Sequence, residues 1–348
     1  MPEALVSVVI PSYNHAAYIG EAVNSVLSQS VGDLELIVVD DGSEDDSLAI
    51  LSGFTDRRLR LFHQPNQGAH AAINRGLREA KGSYLAILNS DDAYQPQRLE
   101  KLVRLLENNP AVALAGSYIQ LIDHQGRALG VKHGYLDCEP WLLELPQRSF
   151  RAGADLRAAL LTENYFATSS NFVFPRSWFE RIGQFRPLRF THDWDYALRL
   201  AESANVALLP EPLLKYRVHA ANTIRQDQAA MFFEICWILA MHLPAYGLDR
   251  LAAGGQPLEK PIDQLLHSIY TAQCDRVLSV MLLQGLHDHL DWALDLLDPD
   301  NSVRAVYIEY IQQQLQAGPQ PVLPQSSPVL ARLRSKLGKV RKKGRASL

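Results

Sequence analysis

The chain has 348 residues, room for one large domain or two medium ones, and its 47% apolar and 21% charged content is that of an ordinary globular protein. A net charge of −4 argues against nucleic-acid binding by the molecule as a whole, and no run reaches the ~18 uncharged apolar residues of a membrane span. The amino terminus has no basic stretch leading into an apolar core, and Cys138, Cys236 and Cys274 have neither paired nor metal-type spacing, so reduced thiols in a cytoplasmic protein are expected.

Up to residue 121 the pattern alternates strand and helix. Apolar runs at 6–10, 34–39, 59–63, 84–88 and 112–121 predict strands. Helical periodicity covers 18–27, 45–54 and 69–79, with Ser43 as the expected N-cap of the second. Pro96 opens a fourth helix, which Asn108-Asn109-Pro110 ends. Repeated strand–helix units imply a parallel sheet with right-handed crossovers. Residues 122–225 are less regular, with helices at 150–161, 178–182 and 193–204, a strand at 170–174 and an extended segment at 206–216. Residues 226–317 are mostly helical in pattern, and 318–328 hold four prolines and read as a linker. In the tail, Leu330, Leu333, Leu337 and Val340 recur at helical spacing among eight basic residues from Arg332 onward. That pattern fits a short basic amphipathic helix on an anionic membrane surface, and equally a solvated tail.

Acidic residues follow two of these strands directly: Asp40-Asp41-Gly42-Ser43 after the second and Asn89-Ser90-Asp91-Asp92 after the fourth. The carboxyl ends of strands form the ligand edge of an open α/β sheet. Carboxylates placed there suit hydroxyl recognition and a hard divalent cation. Asn66-Gln67-Gly68 opens the helix at 69–79, and a helix N-terminus offers free N–H groups to an anion. Asp193 and Asp195 open a later helix, where a two-residue offset points them roughly 200° apart, so only one faces a given site. No Gly-x-Gly-x-x-Gly follows the first strand, which argues against a dinucleotide-binding fold.

Val8-Val9-Ile10-Pro11-Ser12-Tyr13-Asn14-His15, Val38-Val39-Asp40-Asp41-Gly42-Ser43, Asn66-Gln67-Gly68 with Asn74 and Gly76, and Asn89-Ser90-Asp91-Asp92 stand in that order. Together they resemble the inverting glycosyltransferases of family 2, over about residues 5–220. The resemblance implies a GT-A (Rossmann-like) α/β domain over 1–225, a mostly parallel sheet flanked by helices, with a helical C-terminal region over 226–317 and a linker and tail over 318–348. It implies a nucleotide-sugar donor, with a UDP-sugar first, and a glycan, lipid-linked or protein acceptor. Pro11, Ser12, Tyr13, Asp40, Asp41, Asn66, Gly68, Asn74, Asn89 and Ser90 would line the nucleotide, with Asp41 foremost for the base. Asp91 and His219 would hold Mn²⁺ or Mg²⁺, with Asp92 and Arg217 contacting the donor sugar or supporting the site. Asp193, in Thr191-His192-Asp193-Trp194-Asp195, would be the general base with Asp195 as its rival, and Asn171 and Trp178 would face the acceptor. Two departures stand out: Asn89 occupies the first aspartate position of the Asp-x-Asp element, and Ile73 stands where the family usually carries arginine. They keep open a second reading, a nucleotide-sugar binding protein with degenerate catalysis. The tail would add peripheral contact at the inner face of the cell membrane, and the helical region a surface for a homodimer.

Overall fold

The computed structural model describes residues 4–132, 160–161, 164–220, 222, 227–245 and 274–317, in two compact units, Met1–Arg225 and Gln226–Leu348.

In the first unit β1 (Val6–Ser12), β2 (Leu34–Asp40), β3 (Leu59–His63) and β4 (Tyr84–Ile87) lie parallel in the order β3-β2-β1-β4. All seven residues of β1 are buried, as expected where helices cover both faces of a parallel sheet. Helices α1 (Ala16–Leu27), α2 (Ser47–Ser52) and α3 (Ala69–Glu79) make the crossovers. Ile19, Ala22, Val23 and Val26 recur at helical spacing on α1 and carry its buried face into the core under Val8, Ile10, Leu36 and Val38. Register aligns Ser12 with Asp40, so β1 and β2 end side by side.

The rest of the sheet is mixed. β5 (Ala93–Tyr94) precedes α4 (Arg98–Asn108), β6 (Val112–Ile122) and β7 (Ala128–Lys132). A 3₁₀ turn (Ser169–Asn171), β8 (Val173–Pro175), α5 (Arg176–Ile182), α6 (His192–Ser203) and β9 (Asn205–Arg217) complete the unit. The order continues β4-β8-β6-β9-β5, with β7 paired to β6. The expected mostly parallel sheet holds for β3-β2-β1-β4 and again where β6 pairs parallel with β9. β8 inserts antiparallel between β4 and β6, and β5 lies antiparallel on β9. A three-residue strand cannot announce a partner almost 90 residues away. The strand expected at 170–174 is in its first half the 3₁₀ turn.

Two local expectations change. Ser43 does not cap α2. Its hydroxyl donates to Asp40 Oδ2 (2.6 Å) and accepts from the Asn14 amide (3.0 Å), and Asp46 takes the N-cap position without a side-chain bond. α4 begins at Arg98, with Gln97 at its N-cap, two residues after Pro96.

In the second unit α7 (Gln228–His242) is buried nearly all round, and the Asp227 side chain caps it at the Ala230 amide (3.0 Å). Trp237 Nε1 donates to the Ala293 carbonyl (2.8 Å), tying α7 to α9 (Leu290–Asp295), and Phe233 packs on Tyr307 of α10 (Ser302–Ala317). Cys236 and Cys274, which precedes α8 (Asp275–Gln284), are both buried. Cys138, the linker and the basic tail lie outside the described residues, as does most of the helix expected at 150–161. No helix among the described residues is long and apolar enough to cross a membrane.

One close approach sets the start of β4. The Gly82 amide donates to Ser7 Oγ (2.7 Å), and a Cβ at Gly82 would lie 2.6 Å from the Ser7 amide nitrogen. Because the obstacle is backbone, Gly82→Ala is expected to lower stability by about 1–3 kcal/mol, read as a reduced urea midpoint with an unchanged slope.

Candidate active site

The two motif loops interlock at the sheet edge. Asp40, fully buried at the end of β2, takes the Ser43 amide (3.1 Å) and faces His63 Nδ1 (3.0 Å). Asp41 accepts from the Gln64 side-chain amide (2.7 Å) and from the backbone N–H groups of Gln67 (3.0 Å) and Gly68 (2.8 Å). It thereby satisfies two donors just before α3. Gly42 and Gly68 have φ of 79° and 90°, and a Cβ on Gly42 would sit 2.9 Å from the Asn66 amide nitrogen. Neither position suits an L side chain. Beside them, Ser12 Oγ is buried without a hydrogen-bond partner, Asn66 is exposed, and Tyr13 is exposed and follows β1 directly.

The second centre forms where β4 and β9 end. β5 pairs antiparallel with β9, Ala93 opposite Lys215, and this register brings His219 back over Asp91. His219 Nε2 lies 3.0 Å from Asp91 Oδ2. His15, at the N-cap position of α1, sets Nδ1 2.7 Å from Ser90 Oγ and turns Nε2 toward the same Asp91 oxygen, 4.0 Å away. The three ligand-type atoms of His15, Asp91 and His219 lie within 4.8 Å of one another. Two imidazoles and a carboxylate are a donor set that fits a divalent cation.

Neighbouring carboxylates here have opposite electrostatics. Burial works against ionisation of Asp91, but the His219 hydrogen bond and the charge of His15 outweigh it and hold that carboxyl below its usual range. Burial and the adjacent Asp91 charge push Asp92 well above it. Asp92 accepts from Ser170 Oγ (2.5 Å) and from the Arg217 amide (2.9 Å).

The third element is the start of α6. Asp195 is fully buried between Arg186 (2.7 Å) and Arg199 (3.0 Å). Arg199 also donates to the carbonyls of Ile182 (3.0 Å) and Gln184 (2.7 Å), which fixes the loop ahead of the helix. Asp193 is buried and accepts from the Trp194 amide (2.7 Å) and from the Asn164 side chain. Burial pushes its carboxyl up, partly opposed by His192. The two acids that are rivals in the sequence are thus chemically unlike: one is clamped by two guanidiniums, the other is a buried carboxyl with a raised pKa at a helix N-terminus.

The profile described as "Glycosyl transferase family 2" matches residues 7–183, more than half of the chain. The chain belongs to glycosyl transferase family 2. Uncharacterised glycosyltransferases of Rickettsia prowazekii and Rickettsia typhi are 30% and 31% identical to it over 223 residues, covering 63% of this family 2 chain and 65% of each relative. The match therefore spans somewhat less than two thirds of those relatives' own length. A structure of S. aureus TarS 1–349 in complex with UDP-GlcNAc superposes with a TM-score of 0.53 at 16% identity, over 90% of both chains, which establishes the shared fold.

Several residues expected to touch ligand instead build the family 2 scaffold. Asn171 is fully buried: its amide donates to the carbonyls of Ser117 (3.0 Å) and Phe166 (3.2 Å), and its oxygen accepts from Arg98 and the Ser117 amide. That leaves nothing for an acceptor, so its assignment to the acceptor side is withdrawn. Both ends of Asn74 bind the Phe185 backbone at 2.8 Å, so it joins α3 to the loop before α6 rather than facing nucleotide. The Asn89 side chain bonds Thr168 and Ser169 (both 3.0 Å). Arg217 bonds the Asp91 carbonyl (2.8 Å), the Asp123 carbonyl (3.2 Å) and Glu21 (2.5 Å), with its guanidinium 4.8 Å from the Tyr18 ring centroid. Of the two roles left open for Asp92 and Arg217, the contacts favour support. Trp178 is half-buried on α5, with the Arg181 guanidinium 4.9 Å from its ring centroid. Pro11 lies buried in β1. Sequence reasoning missed His15 as a partner of Asp91. Its signal was a histidine three residues beyond the ligand end of β1.

Replacing Asp195 by Asn would leave Arg186 and Arg199 facing an uncharged amide. Asp195→Asn is expected to cost roughly 3 kcal/mol in urea unfolding. Asp193→Asn is not expected to destabilise the protein at neutral pH. A raised carboxyl favours the neutral form in the folded state, so its contribution to stability is present at low pH and is lost as pH rises through the folded value.

Proposed function

We propose that this chain is a metal-dependent inverting glycosyltransferase, moving a sugar from a nucleotide sugar, a UDP-sugar first, to a glycan, lipid-linked or protein acceptor. The observation that carries the reading is the contrast between Asp193 and Asp195 together with the His15–Asp91–His219 cluster in the same unit. Family membership supports the transfer, and the likeness to a fold crystallised with UDP and UDP-GlcNAc supports the uridine donor.

In this reading the acceptor hydroxyl attacks the anomeric carbon as its proton passes to Asp193. The new C–O bond forms while the bond to the diphosphate oxygen breaks, and the electron pair leaves with the diphosphate. Single displacement needs the base on the face opposite that leaving group. Asp91 and His219 would hold Mn²⁺ or Mg²⁺, which supplies positive charge to the diphosphate oxygens. Ser12, Tyr13, Asn66, Ser90 and the backbone around Gly68, where the Asp40 and Asp41 loops meet, are the groups left to receive the nucleotide. Arg217, Asp92, Asn89 and Asn74 act behind them, by holding the segments that carry the site.

The test is nucleotide release from a panel of UDP-sugars with Mn²⁺ or Mg²⁺ and mixed glycan acceptors. Wild type is expected to turn over only with metal, and Asp193→Asn to lose about 10²–10⁴ in kcat, the usual worth of a positioned base. Metal-dependent UDP binding without release would instead favour a nucleotide-sugar binding protein. An undiminished Asp193→Asn rate would remove the base assignment.

The raised carboxyl of Asp193 also sets a pH dependence. The base works ionised, so kcat is expected to fall on the acid side with an apparent pKa above the ~3.9 of free aspartate. That limb should vanish from the residual activity of Asp193→Asn.

A further inference from the structure

We propose that His15 is a third protein ligand of the cation site, making it a nitrogen-rich triad that takes Mn²⁺ or Zn²⁺ before any nucleotide arrives and disfavours Mg²⁺. The proposal rests on the metal-dependent reading above.

The geometry is that of a prepared ligand. His15 is fixed through its backbone: its amide donates to Ser47 Oγ (3.1 Å), and its carbonyl accepts from the Tyr18 and Ile19 amides (both 2.9 Å) as α1 begins. Its ring packs edge-on against Tyr18 and against His219, with centroids 6.2 and 5.8 Å away. Ser90 Oγ, 2.7 Å from Nδ1, occupies the nitrogen that faces away from Asp91. When Nδ1–H donates to that hydroxyl, Nε2 carries the free lone pair, and Nε2 is the atom turned toward Asp91 Oδ2. Orientation of a ligating imidazole through its other nitrogen is the usual outer-shell arrangement at metal sites.

The separations fit as well. Donor atoms each about 2.1 Å from a shared ion lie roughly 3 Å apart at adjacent positions. Asp91 Oδ2 is 3.0 Å from His219 Nε2 and 4.0 Å from His15 Nε2, and all three atoms lie within 4.8 Å of one another, so a modest shift of the His15 ring draws the triad together. His15 is the most open of the three, with a quarter of its side chain accessible against 13% for Asp91 and 7% for His219. It is therefore the residue with room to make that shift. A site of one carboxylate with water and phosphate oxygens suits Mg²⁺, which prefers oxygen ligands. Two imidazoles move the preference to borderline transition metals, with Zn²⁺ above Mn²⁺ in affinity. They also supply enough protein ligands to hold the ion without a diphosphate.

The experiment measures Mn²⁺ binding to the full chain by the loss of free-ion EPR signal, with and without UDP, for wild type, His15→Gln and Ser90→Ala. Wild type is expected to bind one Mn²⁺ without UDP, to release it to Zn²⁺, and to resist displacement by excess Mg²⁺. His15→Gln is expected to weaken nucleotide-free binding at least tenfold. Pulsed EPR should then show the count of coupled histidine nitrogens fall from two to one. That signature distinguishes a lost ligand from a general loosening. Ser90→Ala should weaken binding by about 10-fold or more with both couplings kept. Equal Mn²⁺ affinity and nitrogen count in His15→Gln would overturn the proposal while leaving the active-site reading intact. Wild-type binding only in the presence of UDP would overturn it in the same way. Absence of Mn²⁺ binding even with UDP would remove the metal-dependent reading itself.

Discussion

The buried carboxylate of Asp92 joins three segments around the cation cluster. It sits in the loop after β4, takes the hydroxyl of Ser170 from the 3₁₀ turn, and takes the backbone N–H where β9 ends at Arg217. Burial and the neighbouring Asp91 push it toward its neutral form, so these hydrogen bonds are what make its position tolerable. That junction and the β5–β9 pairing together return the end of β9 over Asp91. Without them His219, two residues beyond, would lose its register with the cluster. Arg217 strengthens the same junction from the other side, through the Asp91 carbonyl and Glu21.

A division of labour between neighbouring acids runs through the unit. Asp92 is spent on the scaffold while Asp91 faces the histidines. Asp195 is spent on Arg186 and Arg199 while Asp193 is left without a guanidinium. A buried ion pair adds little net stability compared with apolar packing, but removing one partner leaves an uncompensated charge. Its value at α6 is therefore geometric. Arg199 reaches the 182–184 carbonyls while holding Asp195, Asn74 grips Phe185 from α3, and the Phe185 ring stacks on Tyr196 at 3.9 Å. The helix that carries Asp193 is in this way pinned to α3, which begins beside the Asp41 loop. The proposed role of Asp193 as base requires it to be held to within a fraction of an ångström, and rigid elements do that better than loops.

How much of this was legible in the sequence follows from how local each cause is. The strands β1, β2 and β4 announce themselves because both faces are buried, and acids directly after them fall on the ligand edge by topology alone. The resemblance pointed to Asp91, Asp193 and His219, in that order along the chain. What could not be read were pairings between distant segments. Nothing local in Val173–Pro175 says that it lies between β4 and β6. Nor does Asn171 betray that Ser117 and Phe166 use up its amide. His15 was passed over because a histidine at a helix start looks like any polar cap, and only the fold sets it opposite residues 75 and more positions away.

The two departures from the family pattern bear on charge. Ile73, in the usual arginine position, is wholly buried apolar surface, and Arg75 on the same helix donates to the His63 carbonyl (2.7 Å) with its guanidinium 5.3 Å from the Phe62 ring centroid. Arg217 is 2% exposed, and its guanidinium is already bonded to protein oxygens. None of these three residues offers a free cation to a leaving diphosphate. Asn89, for its part, takes one negative charge out of the loop that presents Asp91. In the proposed reaction, this gives the cation site a larger share in neutralising the leaving group. A site that must carry that load gains from holding its ion firmly, and two imidazoles, one oriented through its ring by Ser90 and one on a backbone whose amide is held by Asn222, do so without adding the negative charge that a second carboxylate would bring against the phosphates.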